Sequence, residues 1–481
     1  MNIDKLTKGA QIIAIVCNQW GDTGKGKFSD YFAANWADVI ARGTGGNNAG
    51  HTVVIKGKKR IFHLLPSGII NAEKINILGN GMAIDLDVLC EELNDLEREN
   101  ISYKNLMISE DAHVILPQHV LLDKKQNQSQ EKGIGSTGRG IGPCYSDKTS
   151  RSGIKIRDLY DEEIFPSKIK KIVEHYSYIN GDINFDSTKE TNRIISNLRP
   201  LAEILKPYVK DTIHEIHKLK SEGKKILIEG AQGFLLSIEY GTYPYVTSSD
   251  CSINGTAAGI GLSARDVDLT LGIVKFPFMT RVGKGPFPTE LGGSFSFKHC
   301  ADSENNLKKE LLKFEIPFKE INGKISYDCN DKKIMEFLNS DDEFYQGIGI
   351  RLAGGEYGAT TGRPRRVGWT DLLALKYALD INGKDIILTK ADVIRGMKEF
   401  KLAVGYDNQD NFTRDPKKLE NAKAKYKYFR GFEEDISNVK KYEDLPDSIR
   451  ESISFLEKFT GARVRLVSTG PEREQIIFKE S

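Results

Sequence analysis

An apolar run near the N-terminus, residues 11–18 (QIIAIVCN), places the strongest constraint on the fold. A continuous run of β-branched residues is typical of a strand buried on both faces of a parallel sheet. Helical patterns separate many further runs of this kind. Those runs are residues 39–41, 75–78, 226–229, 269–274 and 385–389. The sequence therefore predicts an α/β fold with a central, mostly parallel β-sheet.

The remaining segments predict additions to this sheet. Residues 167–220 are rich in Lys, Glu, Ile and Leu at helical spacing, and helices are expected at 197–210 and 211–220. Residues 294–346 are rich in charge, and the tail predicts a helix at 448–458 and a strand at 462–467. We divide the chain accordingly. The parts are an α/β core (1–109 plus 210–275), a mostly helical subdomain (110–209) and a C-terminal α+β lobe (276–481), with 294–346 as an insertion.

Composition excludes several classes of function. The 481 residues carry 69 Lys and Arg against 67 Asp and Glu, so a net charge of +2 gives no field that would gather nucleic acid or an acidic membrane. No stretch reaches the roughly 18 apolar residues of a membrane span. The 6 Cys are far apart and show neither a disulfide framework nor zinc spacing. These features indicate a cytoplasmic protein with reduced thiols.

A glycine-rich, P-loop-like segment, residues 21–27 (GDTGKGK), follows the first predicted strand and opens a helix. It satisfies the GxxxxGK pattern, whose backbone N–H groups and helix N-terminus can hold a phosphate. Phe28 stands where such loops place the Ser or Thr that binds Mg²⁺. On these residues alone, a phosphate site and a plain strand–helix turn are equally compatible with the loop, and a metal would need another ligand.

A second loop, residues 43–52 (GTGGNNAGHT), is half Gly and Ala and ends near His51. Glycines allow the backbone to approach a ligand closely. His51 has little core to pack into at such a place, which favours a functional role. His214 and His217 are three apart on a predicted helix, a spacing that metal sites use, but solvated surface histidines are the better interpretation.

Nine blocks of sequence together resemble the adenylosuccinate synthetase family. They are QWGDTGKGK (19–27), GGNNAGHTV (45–53), IGSTGRGIGPCYSDKTSR (134–151), EGAQGFLL (229–236), GTYPYVTSS (241–249), TRVGKGPFPTE (280–290), GATTGRPRR (358–366), LTKADV (388–393) and STGPER (468–473). The blocks run nearly end to end in the family's order. Two residues depart from the family pattern: Thr23 replaces the usual Glu, and Asn47 stands where many members have His.

The resemblance implies a reaction. The family joins IMP and L-aspartate at the expense of GTP, through 6-phosphoryl-IMP, in the first committed step of AMP biosynthesis. Phosphorylation is needed because the C6 oxygen of hypoxanthine is a poor leaving group. The resemblance makes Asp22 the base at N1 and His51 the acid, with Lys25 and Gln232 as further catalytic residues. One Mg²⁺ per subunit would bind the Asp22 carboxylate and the Gly50 carbonyl.

The resemblance also assigns the binding residues. Those for GTP are Gly21, Asp22, Thr23, Gly24, Lys25, Gly26, Lys27, Gly50, His51, Thr52, Arg365, Lys390, Ala391, Asp392, Ser468, Thr469 and Gly470. Those for IMP are Asp22, Thr23, Gly24, Lys25, Asn48, Ala49, Gly50, His51, Thr137, Arg151, Gln232, Thr247 and Arg363. Those for aspartate are Ala359, Thr360, Thr361, Gly362, Arg363, Pro364 and Arg365. The family's homodimer implies that Arg151 reaches the IMP 5′-phosphate in the neighbouring subunit.

The residues themselves support two of these assignments. A Gly-rich loop that ends in Arg suits a substrate with two carboxylates. Asp392, directly after a predicted strand, can accept both N1–H and N2–H of guanine, and adenine offers neither in that arrangement. The order Lys390-Ala391-Asp392 resembles the NKxD element of GTPases, with Thr389 in place of Asn.

Two other functions stay open at this point. A GTP-binding switch would explain the phosphate loop and the KxD element, but it leaves His51 and the GATTGRPRR block without a role. A paralogue that acts on a deoxyguanylate would share the family pattern. Such relatives tend to lack the Asp of the first loop, so Asp22 favours IMP.

Overall fold

The apolar run at the N-terminus forms strand β1 (Ile12–Cys17), whose six residues are all buried. It pairs in parallel with strands on both sides, as a run without polar alternation predicts. The other strands, in chain order, are β2 (Val39–Arg42), β3 (His51–Ile55), β4 (Lys58–Phe62), β5 (Ile75–Leu78), β6 (Ala83–Ile84), β7 (Leu106–Ser109), β8 (His113–Val114), β9 (Val209–Lys210), β10 (Ile226–Glu229), β11 (Leu269–Lys275), β12 (Phe278–Arg281), β13 (Phe318–Ile321), β14 (Lys324–Tyr327), β15 (Arg366–Trp369), β16 (Asp385–Thr389), β17 (Glu399–Tyr406), β18 (Ala424–Arg430), β19 (Arg463–Ser468) and β20 (Ile476–Phe478).

The computed structural model describes residues 2–55, 58–129, 135–180, 186–302, 304–321, 324–358 and 362–480. Among these residues the central sheet has ten strands, in the order β20-β19-β16-β11-β1-β10-β2-β5-β7-β9. Every neighbouring pair is parallel except β19 and β20. The expected α/β fold with a mostly parallel sheet is confirmed.

Helices cover this sheet and extend beyond it. They are α1 (Ile3–Leu6), α2 (Lys25–Asn35), α3 (Leu86–Arg98), α4 (Pro117–Ser129), α5 (Ile141–Ser150), α6 (Ile164–Asn180), α7 (Ser187–Leu205), α8 (Thr212–Ser221), α9 (Ile253–Ala258), α10 (Gly293–Ala301), α11 (Leu307–Lys313), α12 (Lys332–Leu338), α13 (Glu343–Gly354), α14 (Leu372–Asn382), α15 (Pro416–Glu420) and α16 (Asp447–Thr460). Within the described ranges, none is long and apolar enough to cross a membrane.

One predicted helix ends earlier than its sequence pattern suggested. Helix α7 stops at Leu205, a 3₁₀ turn follows at Lys206–Tyr208, and Val209–Lys210 becomes edge strand β9, which pairs with β7. Pro207 lies in that turn and supplies no N–H, and pairing with the sheet then overrides the helical propensity of the next residues. The helix predicted over 197–210 was therefore wrong at its end.

The central sheet crosses the three-part division of the chain. Strands β16, β19 and β20 come from the segment assigned to the C-terminal lobe, yet they complete the sheet beside β11. Segment 294–346 likewise shares a core: Leu311, Ile334 and Leu338 pack in one cluster with Leu388 of β16. The division thus describes regions around one sheet, and as a division into domains it stays a prediction.

Candidate functional site

Six parallel strands end at the same edge of the sheet, and residues that follow each of them line one cleft. The strands are β1, β2, β10, β11, β16 and β19, and strand β1 has later strands on both sides. Ligands of open α/β sheets bind at such an edge, in the crevice where the connections diverge. The cleft encloses about 750 Å³. Most residues that the sequence nominated lie in it.

The cleft brings together residues nominated for both nucleotides. Its lining includes Gly21, Asp22, Thr23, Gly24, Lys25, Gly26, Lys27, Asn48, Ala49, Gly50, His51, Gln232, Arg365, Lys390, Asp392, Ser468, Thr469 and Gly470. These residues come from segments that are more than 400 positions apart in the chain, so only the folded sheet can assemble them.

The first glycine loop turns sharply before α2. Gly24 has a left-handed backbone with φ 80° as the N-cap of the helix, a conformation that glycine adopts without steric cost. Asp22 is also left-handed, with φ 52°, which costs an L-residue about 1–2 kcal/mol. Gln232 (φ 49°) and Lys390 (φ 68°) share this feature at the same cleft. Strain of this kind persists where the surrounding structure fixes the residue, and it concentrates at ligand sites.

Asp22 lies among cations. Its Oδ2 is 2.6 Å from Nε of Arg365. Burial alone would raise the pKa of the Asp22 carboxyl, but Arg365, Lys275 and Lys25 outweigh it and hold that pKa below its usual value. The carboxylate is therefore ionised at neutral pH and available both as a proton acceptor and as a metal ligand.

His51 is buried against a carboxylate. Its Nδ1 contacts Oε1 of Glu229, the last residue of β10, and Glu229 also accepts hydrogen bonds from the Ser67 backbone N–H (2.8 Å) and hydroxyl (2.6 Å). Burial would raise the pKa of Glu229, but His51 and Arg42 lower it to about 2. Burial lowers the pKa of His51. An ionised Glu229 thus accepts Nδ1–H, which fixes the ring and leaves Nε2 for a ligand.

The second glycine loop is braced by Gln232. The amide Nε2 of Gln232 donates to Oδ1 of Asn48 at 3.0 Å, while Nζ of Lys25 donates to the Gln232 carbonyl. Gly45 has a left-handed backbone with φ 78°, which favours glycine, and a Cβ there would also lie 2.8 Å from Oε1 of Gln232. The two loops and Gln232 therefore form one hydrogen-bonded unit.

The KxD element lies at the end of the cleft for which the resemblance predicts guanine binding (the guanine end), in the expected place after β16. Lys390 follows β16 directly, and its Nζ donates to the Gly354 carbonyl at 2.8 Å. Burial raises the pKa of Asp392 above its usual value, even though Lys390 opposes the change. Lys27 reaches this end as well, because its Nζ donates to the Ser468 hydroxyl at 2.7 Å.

Two charged residues at the middle of the cleft were missed by sequence reasoning. Nζ of Lys275 is buried and contacts Oε2 of Glu356, and it donates to the Thr280 hydroxyl at 3.0 Å. Oε1 of Glu356 lies 3.7 Å from Nζ of Lys390. The available signal was a lysine that ends an otherwise apolar strand, LTLGIVK. Glu229 ends β10 in the same way and was also given no role.

Other cleft residues carried no sequence signal. Residues from segment 294–346 and from the region after β18 line the guanine end: Cys329, Asn330, Met335, Leu338, Asp435 and Ser437. Asp30 and Arg473 line the cleft beside Lys27. Segment 294–346 therefore contributes to the wall of the cleft.

Some nominated residues lie outside the cleft lining. Thr137 and Arg151 are exposed, Thr247 is half-buried, and Ala391 is buried beneath the KxD turn. Arg363 is exposed, and Gly362 and Pro364 flank it. Ala359, Thr360 and Thr361 lie outside the described residues, and so does the side chain of Thr52. The roles of these residues stay predictions.

The two departures from the family pattern have structural contacts. Thr23 is buried, and its carbonyl accepts a hydrogen bond of 3.0 Å from the Thr389 hydroxyl, which ties the first loop to β16. Asn47 is buried and donates to Asp85 Oδ2 at 2.8 Å. The side chain of Asn47 thus joins the second loop to the scaffold, whereas the contact of Thr23 is made by its backbone, and nothing in the structure explains why Thr replaces Glu there.

Within the part of the chain that the structure describes, side chains alone form no metal cage. Among the described ranges, no group of three or more His, Cys, Asp or Glu side chains could hold an ion. His214 and His217 are exposed, and Nε2 of His217 bonds the Gly261 carbonyl. A metal in the cleft would depend on a few protein oxygens and on ligand phosphates.

Comparison with known proteins agrees with this geometry. A family model described as adenylosuccinate synthetase matches residues 14–477. The adenylosuccinate synthetase of Caldicellulosiruptor bescii is 41% identical over 98% of this chain and 100% of its own length. That of Halothermothrix orenii is 39% identical over 97% and 98%.

Two solved structures share the fold. Fully ligated adenylosuccinate synthetase from Plasmodium falciparum is 33% identical, with a TM-score of 0.80 over 98% of this chain and 100% of that one. Succinoaminodeoxyadenylate synthetase from cyanophage S-2L is 18% identical, with a TM-score of 0.55 over 98% and 96%. At that identity the second likeness shows the fold alone.

Proposed function

The chain belongs to the adenylosuccinate synthetase family, and from this premise we propose how its own residues carry out the family's reaction. The enzyme ligates IMP and L-aspartate to adenylosuccinate and converts GTP to GDP and phosphate, with Mg²⁺, in AMP biosynthesis. One observation carries the assignment of roles: a single cleft joins Asp22 and His51 at one end to Asp392 at the other. The γ-phosphate of a GTP bound across it would point toward the first end.

Asp22 acts as the base at N1 of IMP. Its carboxylate is ionised because Arg365, Lys275 and Lys25 outweigh the effect of burial on its pKa. Removal of the N1 proton makes O6 nucleophilic, and O6 then attacks the γ-phosphorus of GTP, with GDP as the leaving group. The cations that hold Asp22 ionised also face the negative charge that develops on O6 and the phosphoryl oxygens.

His51 acts from the opposite side of the transferred group. Glu229 accepts Nδ1–H. His51 therefore acts as the acid in its imidazolium form, whose Nε2–H donates to the phosphoryl oxygens and neutralises charge as the group moves. After transfer, the amine of aspartate attacks C6 and phosphate departs. Lys25 and Gln232 hold the two glycine loops together around these atoms.

The residues present fit one Mg²⁺. Asp22 offers a carboxylate oxygen and Gly50 a carbonyl oxygen at the same cleft, and Mg²⁺ is usually held by one or two carboxylates together with substrate phosphates. The ion supplies charge neutralisation at the phosphates when bound. This donor set also explains why Phe28 can occupy the position of the usual Ser or Thr.

Aspartate and the IMP phosphate are bound by loops at the rim. The ends of the aspartate loop are tied together, since the backbone N–H of Gly358 donates to the Arg363 carbonyl at 2.8 Å and that of Gly362 to the Gly358 carbonyl at 2.8 Å. Residues 359–365 would bind the two carboxylates of aspartate. Exposed Arg151, at the end of α5, would reach the IMP 5′-phosphate of the neighbouring subunit in the family's homodimer. We place the enzyme in the cytoplasm.

A direct assay tests the proposal. Purified protein is incubated with GTP, Mg²⁺, IMP and L-aspartate, and adenylosuccinate is followed by absorbance. Synthesis should stop when any one component is omitted. GTP hydrolysis that proceeds without IMP and aspartate would instead indicate a GTPase switch, and turnover of dGMP in place of IMP would indicate the paralogous reaction.

A further inference from the structure

The two lysines of the first loop point to opposite ends of the cleft. Lys25 donates to the carbonyl of Gln232, at the catalytic end. Nζ of Lys27 donates three hydrogen bonds at the guanine end, to the Ser468 hydroxyl (2.7 Å), the Gly470 carbonyl (2.7 Å) and the Gln475 carbonyl (2.8 Å). Residues two apart on a helix do not share a face, so the sequence GKGK itself separates the two amines.

The three acceptors account for all of the donors on Lys27. An ammonium group has three N–H bonds and no acceptor, and each bond here ends on the turn at 468–475. The turn is closed by its own bonds, from Thr469 N–H to the Gln475 carbonyl (2.9 Å) and from Glu472 N–H to Gln475 Oε1 (2.9 Å). Lys27 therefore occupies the centre of a preformed cage.

A second tie holds the same turn to the same helix. Asp30 follows Lys27 by three positions and lies on the same face of α2. It is buried and receives two hydrogen bonds from Arg473, from Nε at 2.5 Å and Nη2 at 2.6 Å. Such bidentate pairs fix geometry as well as add energy. One face of α2 thus holds the turn at two points.

The electrostatic surroundings agree with this placement. Burial lowers the pKa of Lys27 to about 7, and Asp392 is the strongest opposing charge. The charge of Asp392, the residue proposed to read the guanine base, therefore acts on this amine.

We propose that Lys27 is a positioning residue for guanine recognition, and that it holds Ser468, Thr469 and Gly470 against the base instead of binding a phosphate. The inference rests on the proposed use of GTP in this cleft, and it reassigns Lys27 within the GTP-binding set. The phosphate loop (21–27) and the turn at 468–475 then form one unit. A nucleotide can place its phosphates correctly only when this turn is positioned against the base.

Arginine in place of lysine separates the two roles. Arg binds phosphate at least as well as Lys, but its planar fork cannot satisfy three acceptors that converge on one nitrogen. We expect Lys27→Arg and Lys27→Met to weaken GDP binding equally, by about 10- to 100-fold in calorimetry. Lys479→Met is the matched control, because Lys479 pairs with Glu457 (3.1 Å) next to β20 without touching the turn, and it should stay within about 2-fold.

A double-mutant cycle gives the second measurement. Arg473→Gln cuts the other tie, so its loss of GDP affinity should be largely contained in that of Lys27→Met, and the pair should be clearly non-additive. Wild-type affinity in Lys27→Arg, or additive losses in the cycle, would overturn the proposal. If Lys27→Met does not fold, Lys27→Arg and Arg473→Gln still decide the question.

Steady-state kinetics distinguish positioning from general damage. The Lys27 variants should raise KM for GTP while KM for IMP stays within about 2-fold, because the catalytic end is held by other contacts. An equal rise in both would contradict the assignment. Wild-type synthesis of adenylosuccinate is measured first: its absence would refute the proposed function, whereas the GDP cycle tests Lys27 independently of turnover.

Discussion

The two ends of the cleft shift the pKa of an aspartate in opposite directions. At the catalytic end, Arg365, Lys275 and Lys25 outweigh burial and lower the pKa of Asp22. At the guanine end, burial prevails over Lys390 and raises the pKa of Asp392. Asp22 has three cations around it and direct contact with Arg365, whereas Asp392 has Lys390 and Lys27, and Asp435 acts against them.

The difference suits the two tasks. A base that also binds a metal has to be ionised at all times, and surplus cations ensure this. A carboxylate that recognises a neutral base instead gains selectivity from being shielded from water. The wrong base would leave the carboxylate without a hydrogen-bond donor, which costs free energy. The catalytic end therefore depends on charge, and the guanine end depends on exclusion of water.

The largest expected effect concerns the choice of nucleotide. GTP should support synthesis and ATP should not, because adenine presents an unprotonated N1 to Asp392. Buried sites that hydrogen-bond a polar feature reject its absence by about 10⁴–10⁵. Asp392→Asn should lose GTP and accept XTP, whose C2 carbonyl accepts a bond from the new amide. The measurement is kcat/KM of wild type and Asp392→Asn with GTP, ATP, ITP and XTP. Use of ATP by wild type would refute the assignment of Asp392 to base recognition.

The catalytic end is tested by Asp22→Asn, which keeps the size of the side chain and removes the base. Loss of acid–base catalysis should lower kcat by about 10²–10⁴. Thermal unfolding serves as the fold control, because Asn has the size of Asp and should leave the fold unchanged. A variant that keeps more than about a tenth of wild-type kcat would show that another group takes the N1 proton.

Sequence patterns predicted the parts of the site that are local in the chain. The loops at 21–27 and 43–52 and the element Lys390-Ala391-Asp392 each follow a buried strand, and the sheet edge brings them together as expected. Their local signal is strong because strand, turn and helix N-terminus are neighbours in sequence.

The pairs that tune the site could not be predicted in this way. Glu229 is 178 positions from His51, and Glu356 is 81 from Lys275. Lys27 contacts a turn more than 440 positions away. Nothing in the local pattern specifies such partners, since only the order of strands in the folded sheet makes them neighbours. A distant contact of this kind also ended helix α7 early, because Val209 and Lys210 pair with strand β7 and the helical pattern gives no sign of that pairing.

A smaller effect, expected for Arg151→Leu, tests whether the catalytic end needs a second subunit. Arg151 is exposed and lies outside the cleft lining of its own chain. Arg151→Leu should remove one charge-assisted hydrogen bond and so weaken IMP binding by about 1.5–3 kcal/mol, and it should leave GTP binding unchanged. A verified heterodimer of Arg151→Leu and Asp22→Ala should regain activity, because one of its sites is intact. Equal inactivity would mean that each chain builds its site alone.

The smallest effect is a pH dependence confined to the guanine end. Asp392 must be ionised to accept N1–H and N2–H, and burial raises its pKa, so the carboxylate begins to take up a proton at a higher pH than an ordinary Asp. GDP affinity should therefore fall as pH decreases from 7 toward 5. Phosphate groups of the nucleotide and the amine of Lys27, whose pKa is about 7, also titrate in this range. Asp392→Asn corrects for them because it keeps the phosphate contacts and Lys27. The ratio of the Kd of Asp392→Asn to that of wild type should fall toward one at acid pH, by a few-fold at most.

Asp22 gives the opposite expectation: its lowered pKa keeps it ionised, so the defect of Asp22→Asn relative to wild type should stay constant over the same range. A constant Kd ratio for Asp392 would place its pKa in the ordinary range and remove the contrast between the two ends.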